Sequence, residues 1–284
     1  MNALVAEHDG ALRGYSFSDA EFEHVRRLVH DQVGIALAPS KRELVYGRLS
    51  RRLRRLGIDS FAKYLVRLES DAAEMQQFCN AITTNLTSFF RERHHFECLA
   101  RKLLPELERR NAASRRIRIW SAGCSTGEEP YSIAMVVAEA LGRMREWDIR
   151  ILATDIDSNV LAHARCGLYE RGRLEKVDAA RIARWFEPQA EGGQYQVRDE
   201  IKRLITFNTL NFMSEWPLKG PFDVIFCRNV IIYFDRDTQR HVLRRMAALQ
   251  GIGDHLILGH SESLLAVNDQ YQVLGQTVHV KVRP

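Results

Sequence analysis

From Arg116 onward the chain alternates short β-branched and aromatic runs with segments of helical period, and that alternation limits the fold more than any other feature of its 284 residues. Strands are predicted at Ile117 to Trp120, Ile149 to Thr154, Leu204 to Asn208, Val224 to Arg228 and His255 to Gly259, with helices near Tyr131 to Leu141 and Thr238 to Ala248. A strand that reaches the next through a helix returns parallel to it. The pattern therefore predicts a doubly wound α/β sheet covered on both faces. The last stretch, YQVLGQTVHVKV, sets two β-rich runs around Gly275 with no room for a crossover helix, which predicts an antiparallel hairpin at the sheet edge.

Upstream the period is helical. Ser18 with Glu21, and Ser40 with Glu43, have capping-box spacing, in which each side chain satisfies a backbone donor at a helix start. They mark helices over Asp19 to Val33, stopped by Gly34, and Lys41 to Leu56; two more are expected over Ser60 to Glu69 and Ala72 to Thr83. The predicted organisation is a helical domain over 1–84, a linker over 85–115 and an α/β domain over 116–284. Hydrophobic residues make up 45% of the chain, enough for a substantial core. No apolar run approaches the ~20 residues of a membrane span, and the N-terminus shows no basic-then-apolar signal pattern, so a cytoplasmic location is expected. The five cysteines are scattered without a CxxC pair and read as free thiols.

The net charge of +5 is concentrated: seven basic residues and one acid lie between Lys41 and Arg55. On a helix Leu49, Leu53 and Leu56 share a face, and Arg48, Arg51, Arg52 and Arg55 form a stripe beside it. Four like charges repel one another without an acidic partner. Basic residues are not interleaved with aromatics there and the rest of the chain is not basic, so nucleic acid is not the expected partner.

The stretch IRIWSAGCSTGEEPYSIAM (117–135) puts a small-residue loop at the carboxyl end of the first strand, where open α/β sheets bind ligands. Gly127 is followed by Glu128 and Glu129 rather than the lysine of a phosphate-binding loop, and GxGxxG is absent. A ligand bearing an ammonium and a sulfonium, S-adenosylmethionine, suits glycines followed by carboxylates. Asp155, ending ATDID on the second strand, is placed to accept from both ribose hydroxyls. The competing reading makes Gly123 and Gly127 a tight turn and Asp155 a cap for a helix beginning near Ser158. His94 and His95 are adjacent, which on a helix points them apart and argues for packing or capping; no convincing metal cluster is seen. GHSES lacks the second glycine of a nucleophile elbow, since Ser263 stands there. Cys124 has no paired histidine and reads as a small residue lining the pocket.

NLTSFFRERHHF (85–96), WSAGCSTGEEPYSIA (120–134), ATDID (153–157), GPFDVIFCRNVIIYFD (220–235) and GHSES (259–263), in that order over nearly the whole chain, resemble the chemotaxis protein methyltransferases of the CheR type. The terminal hairpin also resembles the methyltransferase variant of the doubly wound sheet, and CRNVIIYFD stands where amide and exocyclic-nitrogen methyltransferases often carry [DN]PP[YF]. The resemblance implies a Rossmann-like S-adenosylmethionine-dependent enzyme that methylates chemoreceptor glutamates and releases S-adenosylhomocysteine. It implies cofactor contacts from Asn85, Thr87 and Arg91 in the linker, Glu129, Asp155, Asn211 with Phe212, and Arg228 with Asn229; between Glu128 and Glu129 only resemblance favours the latter. Arg91 is implied to hold the methionine carboxylate or the incoming glutamate, and Tyr233 to orient the acceptor or line the methyl channel. The arginine stripe is implied to dock the acidic methylation helices of chemoreceptors. No membrane insertion is implied, and a monomer is expected. The segment over about 172–203, with Gly192 and Gly193 as a hairpin turn, looks like the family's inserted β-subdomain. Its loop is shorter than in members that grip a receptor's C-terminal peptide, so no such tether is expected. The rival reading of function is a cofactor-binding scaffold of the same fold without turnover.

Overall fold

In the computed structural model the capping box at Ser18 and Glu21 is closed: the Ser18 amide donates to Glu21 Oε2 at 2.7 Å and the Glu21 amide to Ser18 Oγ at 3.2 Å. It starts α1 (Asp19–Val33), whose Phe22, Val25, Val29 and Val33 are buried as the period predicts. The second predicted box does not form. Pro39 turns Pro39–Lys41 into a 3-10 helix with Ser40 inside it, so the serine is not at a cap position and Lys41 precedes α2 (Arg42–Leu56) without a side-chain cap. Gly57, at φ 66°, closes α2, with its amide donating to the Arg54 carbonyl and that of Ile58 to Leu53. Helices α3 (Phe61–Ser70), capped by Ser60, and α4 (Ala72–Ile82) follow.

The structure describes residues 14–141, 146–190, 192–262 and 269–284. Within them the chain divides into two units, one holding the residues up to Gln32 with Ala36–Ile82, the other Val33–Ile35 with Thr83–Pro284. Among the described residues no helix is long and apolar enough to cross a membrane.

The second unit is built on seven strands: β1 (Arg116–Ala122), β2 (Asp148–Asp155), β6 (Ile205–Thr209), β7 (Val224–Cys227), β8 (His255–Leu258), β9 (Tyr271–Gly275) and β10 (Val278–Lys281). They are ordered β6-β2-β1-β7-β8-β10-β9. The first five are parallel, and β10 pairs antiparallel with both β8 and β9, as the closing hairpin requires. The hairpin turns at Gln276 and Thr277, both at positive φ, rather than on Gly275 itself.

Alternate residues of each strand face opposite layers. Ile117, Ile119, Ile149, Ile151, Val224, Phe226 and Ile257 pack under α7 (Glu128–Leu141) and a helical run over 94–110. Trp120, Ile225, Cys227, Leu256 and Leu258 pack under α11 (Arg236–Ala248). The run over 94–110, α5 (His94–Cys98), a π-helical turn (Leu99–Leu103) and α6 (Leu104–Arg110), falls where the sequence reading has only a linker. Its period was there to read, in Phe96, Leu99, Leu103 and Leu107, all buried.

The insertion starts earlier than about residue 172. It opens with β3 (Leu168–Glu170) after α8 (Ser158–Cys166) and contains α9 (Ala179–Trp185), β4 (Phe186–Pro188), β5 (Gln194–Val197) and α10 (Asp199–Lys202). Its three strands form their own antiparallel sheet, ordered β3-β5-β4. Gly192 and Gly193, both at positive φ, lie in the β4–β5 connection.

Candidate active site

The loop after β1 is held from β2. The amides of Gly123 and Cys124 donate to the Thr154 carbonyl at 2.8 and 2.9 Å, and the Ser125 amide donates to Asp155 Oδ2 at 2.8 Å. Asp155 Oδ1 accepts from the Asp157 amide at 2.9 Å. Gly123 sits at φ 84°, and a Cβ there would stand 2.3 Å from Val230, so this turn needs glycine both for its backbone and for the approach of the loop after β7. The cap of α8 is Asp157, whose carboxylate accepts from the Asn159 amide at 2.9 Å, and not Asp155. Asp157 Oδ2 also accepts from Asn85 Nδ2 at 2.7 Å, while the Asn85 carbonyl accepts from Ser125 Oγ at 3.1 Å. Asn85 is thereby fastened to both the glycine loop and the end of β2.

Asp155 is 8% exposed, and burial pushes its carboxyl up to about 6 against the pull of backbone donors at Asp157, Ser125 and Ile156. Because the folded value is raised, protonated Asp155 favours the folded state. That contribution is fully present below about 3.8 and is lost as the pH rises through about 6. A ligand that needs the carboxylate has the opposite dependence. S-adenosylhomocysteine affinity, measured by calorimetry, is expected to fall as the pH drops from 7 to 5 and to lose that dependence in Asp155→Asn; an unchanged profile in the variant would remove Asp155 from the ligand site.

A second cluster gathers where β7 ends. Arg228 is buried, and its Nη1 donates to Glu129 Oε2 at 2.9 Å while Nη2 lies 3.2 Å from Glu92 Oε2 and donates to the Arg91 carbonyl. Glu129 Oε1 accepts from Ser121 Oγ at 2.8 Å. Glu92 Oε1 accepts from Asn229 Nδ2 at 3.3 Å and its Oε2 from the His260 amide at 3.1 Å. Two carboxyls thus share one guanidinium. Burial pushes Glu129 up; at Glu92 burial also pushes up, but the charge of Arg228 together with the hydrogen bonds from Asn229 and Arg228 holds the carboxyl below its ordinary value. The cluster carries one acidic equivalent in excess at a face where a cation would relieve it.

Glu92 was missed by the sequence reading, and so was Glu262. The Glu262 carboxylate is 4% exposed and accepts four backbone amides, those of Asn229 at 2.8 Å and Gly259 at 2.6 Å on Oε2, and Val230 at 2.8 Å and Ile232 at 3.3 Å on Oε1. It holds the β7 loop, with Asn229 at φ 59°, against the end of β8. The signal was present as acids inside RERHHF and GHSES, blocks that the sequence reading used only for resemblance. Ser263 of that block lies outside the described residues.

The remaining predicted contacts lie in the segment before α5 and in the loops after β6 and β7. Thr87 is half-buried, and Arg91 donates from Nη1 to the Leu86 carbonyl at 2.7 Å. Asn211 Oδ1 accepts from the Met213 amide at 2.9 Å, making the turn after β6, and Phe212 packs edge-on to Trp120 at 6.3 Å between centroids. Tyr233, in the 3-10 turn Ile231–Tyr233, is 37% exposed. His94 and His95 do not splay as predicted: they begin a helix rather than sit within one, and their rings are 4.1 Å apart beside Glu92. Glu92 already balances Arg228. Burial, with Arg228 nearby, holds His95 down to about 4, and its Nε2 lies 2.9 Å from the Gln276 carbonyl.

In the helical unit the four stripe arginines divide. Arg52 makes a two-point pair with buried Glu74, Nε to Oε1 at 2.6 Å and Nη2 to Oε2 at 2.5 Å, and Tyr64 Oη donates to the same carboxylate at 2.9 Å. The stripe therefore has an acidic partner that its own helix does not show. Arg48 donates to the Ile82 carbonyl. Arg51 and Arg55 are exposed.

Two family models together match nearly the whole chain: "CheR methyltransferase, all-alpha domain" over residues 20–83 and "CheR methyltransferase, SAM binding domain" over 85–280. The chain is 46% identical to a probable chemotaxis protein methyltransferase of Rhizobium etli, over 89% of this chain and 92% of that one. It is 44% identical to chemotaxis protein methyltransferase 2 of Pseudomonas aeruginosa (93% and 94% covered) and 42% identical to the chemotaxis protein methyltransferase of Escherichia coli (93% and 91% covered).

Proposed function

The chain belongs to the CheR methyltransferase family and is an S-adenosylmethionine-dependent methyltransferase, and from that premise we propose that it esterifies glutamate side chains of chemotaxis receptors. The observation that carries the assignment of the site is the Glu92–Arg228–Glu129 cluster, one acidic equivalent in excess beside a glycine loop that a Cβ would obstruct. Those residues fit a sulfonium ligand: Glu129 is the carboxyl that a nearby cation would draw back toward ionisation, and it, not Glu128, shares Arg228.

When bound, S-adenosylmethionine supplies an electrophilic methyl group on positively charged sulfur. Asn85 and Thr87 in the linker, Asp155 after β2 and Asn211 with Phe212 after β6 are its other proposed contacts. A glutamate side chain, ordinarily near 4.3, is already a carboxylate at neutral pH, so its oxygen attacks directly and no proton needs to be moved. With the cofactor bound there, the carboxylate oxygen would take the methyl group as the carbon–sulfur bond broke with its electron pair left on sulfur, so that two opposite charges would cancel. The work left to the protein is alignment and exclusion of water. Tyr233, exposed beside the Arg228–Asn229 loop, is the proposed orienting hydroxyl for the acceptor, and Arg91 the proposed guanidinium for a carboxylate.

Docking of an acidic receptor helix is assigned to Arg51 and Arg55, whose charges face solvent, with Arg52 committed to Glu74. With receptor-bearing membranes and labelled cofactor, the protein is expected to form a base-labile ester that releases methanol. A negative result with several receptors at saturating cofactor would favour a scaffold that has lost turnover. Arg51→Glu with Arg55→Glu is expected to abolish the released methanol while S-adenosylhomocysteine affinity stays at the wild-type value. Unchanged methylation in that variant would place the docking surface elsewhere.

A further inference from the structure

Glu128, the first residue of α7, has no exposed surface, yet its charge is answered from outside the main sheet. Among the described residues its ion-pair partner is Arg173, whose Nη2 meets Glu128 Oε1. Arg173 lies on the 3-10 turn Arg171–Leu174 of the insertion, and the same Nη2 donates to Thr126 Oγ1 at 3.0 Å. Thr126 Oγ1 in turn donates to Glu128 Oε2 at 2.6 Å. Tyr169, on β3, donates from its hydroxyl to the Thr126 carbonyl at 2.7 Å and stands 2.9 Å from where a Cβ on Gly127 would be. The glycine loop is thus gripped from two sides, at Ser125 by Asp155 of the main sheet and over Thr126–Glu128 by the insertion.

We infer that Arg173 is a positioning residue for the cofactor loop, acting through Glu128, and that the inserted subdomain is thereby part of the cofactor-binding machinery rather than an appendage. The charge balance favours this over simple packing. A fully buried carboxylate without its cation has to be resolvated or displaced, and the segment that would move to allow it is the loop itself. Arg173 is 42% exposed, so the partner reaches the buried acid from solvent. Anything that engages the subdomain and moves the Arg171–Leu174 turn changes cofactor affinity, and cofactor binding changes the affinity for that partner by the same factor.

The inference rests on the placement of S-adenosylmethionine at this loop, and the test separates the two. S-adenosylhomocysteine is titrated by calorimetry into the full chain and into Arg173→Ala, Arg173→Lys, Asp155→Asn and the double variant Arg173→Ala with Glu128→Gln. Arg173→Ala is expected to weaken binding by about tenfold, because the lost partner leaves a buried charge unanswered. Arg173→Lys is expected to return to within about threefold of wild type, keeping the charge but losing the fork. The double variant, which has no orphaned charge, is expected to bind more tightly than Arg173→Ala, a rescue that lost packing alone does not produce. Should Arg173→Ala not fold, the lysine and double variants decide between the same outcomes. Weak binding by Asp155→Asn with wild-type binding by Arg173→Ala would overturn the coupling; wild-type binding by both would overturn the placement of the cofactor; an alanine variant that neither lysine nor Glu128→Gln rescues would reduce Arg173 to packing.

Discussion

Arg228→Met is expected to lose methyl transfer altogether and to unfold at markedly lower urea than the wild type. The guanidinium is the shared counter-ion of Glu129 and Glu92, and methionine fills much of its volume without the charge. Removing one partner of a buried ion pair commonly costs roughly 3 to 5 kcal/mol, because a carboxylate is left without compensation. Adding Glu129→Gln to the variant removes one orphaned charge and is expected to restore part of the urea midpoint. It is not expected to restore S-adenosylhomocysteine binding, which on the proposed reading needs the carboxylate. A wild-type midpoint in Arg228→Met would mean that the cluster is solvated and does not behave as a buried pair. Phe96, whose ring centroid lies 5.5 Å from the guanidinium carbon, gives no substitute, since an aromatic face compensates a cation and not an anion.

The second large effect is expected at Glu262, a residue proposed to touch neither cofactor nor acceptor. Its two oxygens divide their work: Oε2 takes the amides of Asn229 and Gly259, Oε1 those of Val230 and Ile232. Glutamine has the same shape but one acceptor oxygen, and it turns an NH2 toward two backbone donors. Each buried donor left unsatisfied costs on the order of 1 to 3 kcal/mol. Glu262→Gln is therefore expected to lower the urea midpoint and to reduce kcat at saturating cofactor by about a hundredfold, through the displaced Asn229–Tyr233 loop. Glu262→Asp keeps both oxygens but retracts them by one methylene, and is expected to fall between glutamine and wild type. If Glu262→Gln lowered stability while leaving kcat intact, the carboxylate would be a brace for β8 alone. Burial raises the Glu262 carboxyl despite its four donors, so in acid the folded state holds its proton longer than the unfolded chain does.

The parts of this fold that follow from local period were legible in the sequence. The β-branched strands with their crossover helices, the Ser18 box and the closing hairpin were all found within a few residues of where they lie. The helical run over 94–110 was not, because the stretch was read only as a linker; Pro105 lies inside this continuous run, directly after the π-helical turn Leu99–Leu103, so a proline there does not end the helix. Ser40 misled for a related reason, since spacing alone does not tell a cap from a residue drawn into a turn by the preceding proline. At the site, the residues proposed as ligand contacts were visible as groups in the linker and at strand ends. What sequence could not display was the layer behind them: Glu92, Glu262 and Asp157 act through backbone amides and side chains that are distant along the chain and meet only when the strand ends are assembled. The same holds for Arg52, which reads as surface charge until Glu74, on α4, is brought beneath it.

The position of β10 has a consequence for the newborn chain. It lies between β8 and β9, so a strand that follows β9 along the chain is interior to the sheet, and Lys281, near its end, sends its ammonium into the core to donate to the carbonyls of Ala247 and Gln250, each at 2.8 Å. The hairpin turn before it supplies the Gln276 carbonyl that engages His95, next to Glu92. Until that turn has left the ribosome, β8 has an open edge and His95 lacks its partner. The helical unit precedes these strands along the chain and takes no strand from them. The sheet that carries the proposed site is therefore completed only when the segment after β9 is free to enter between β8 and β9.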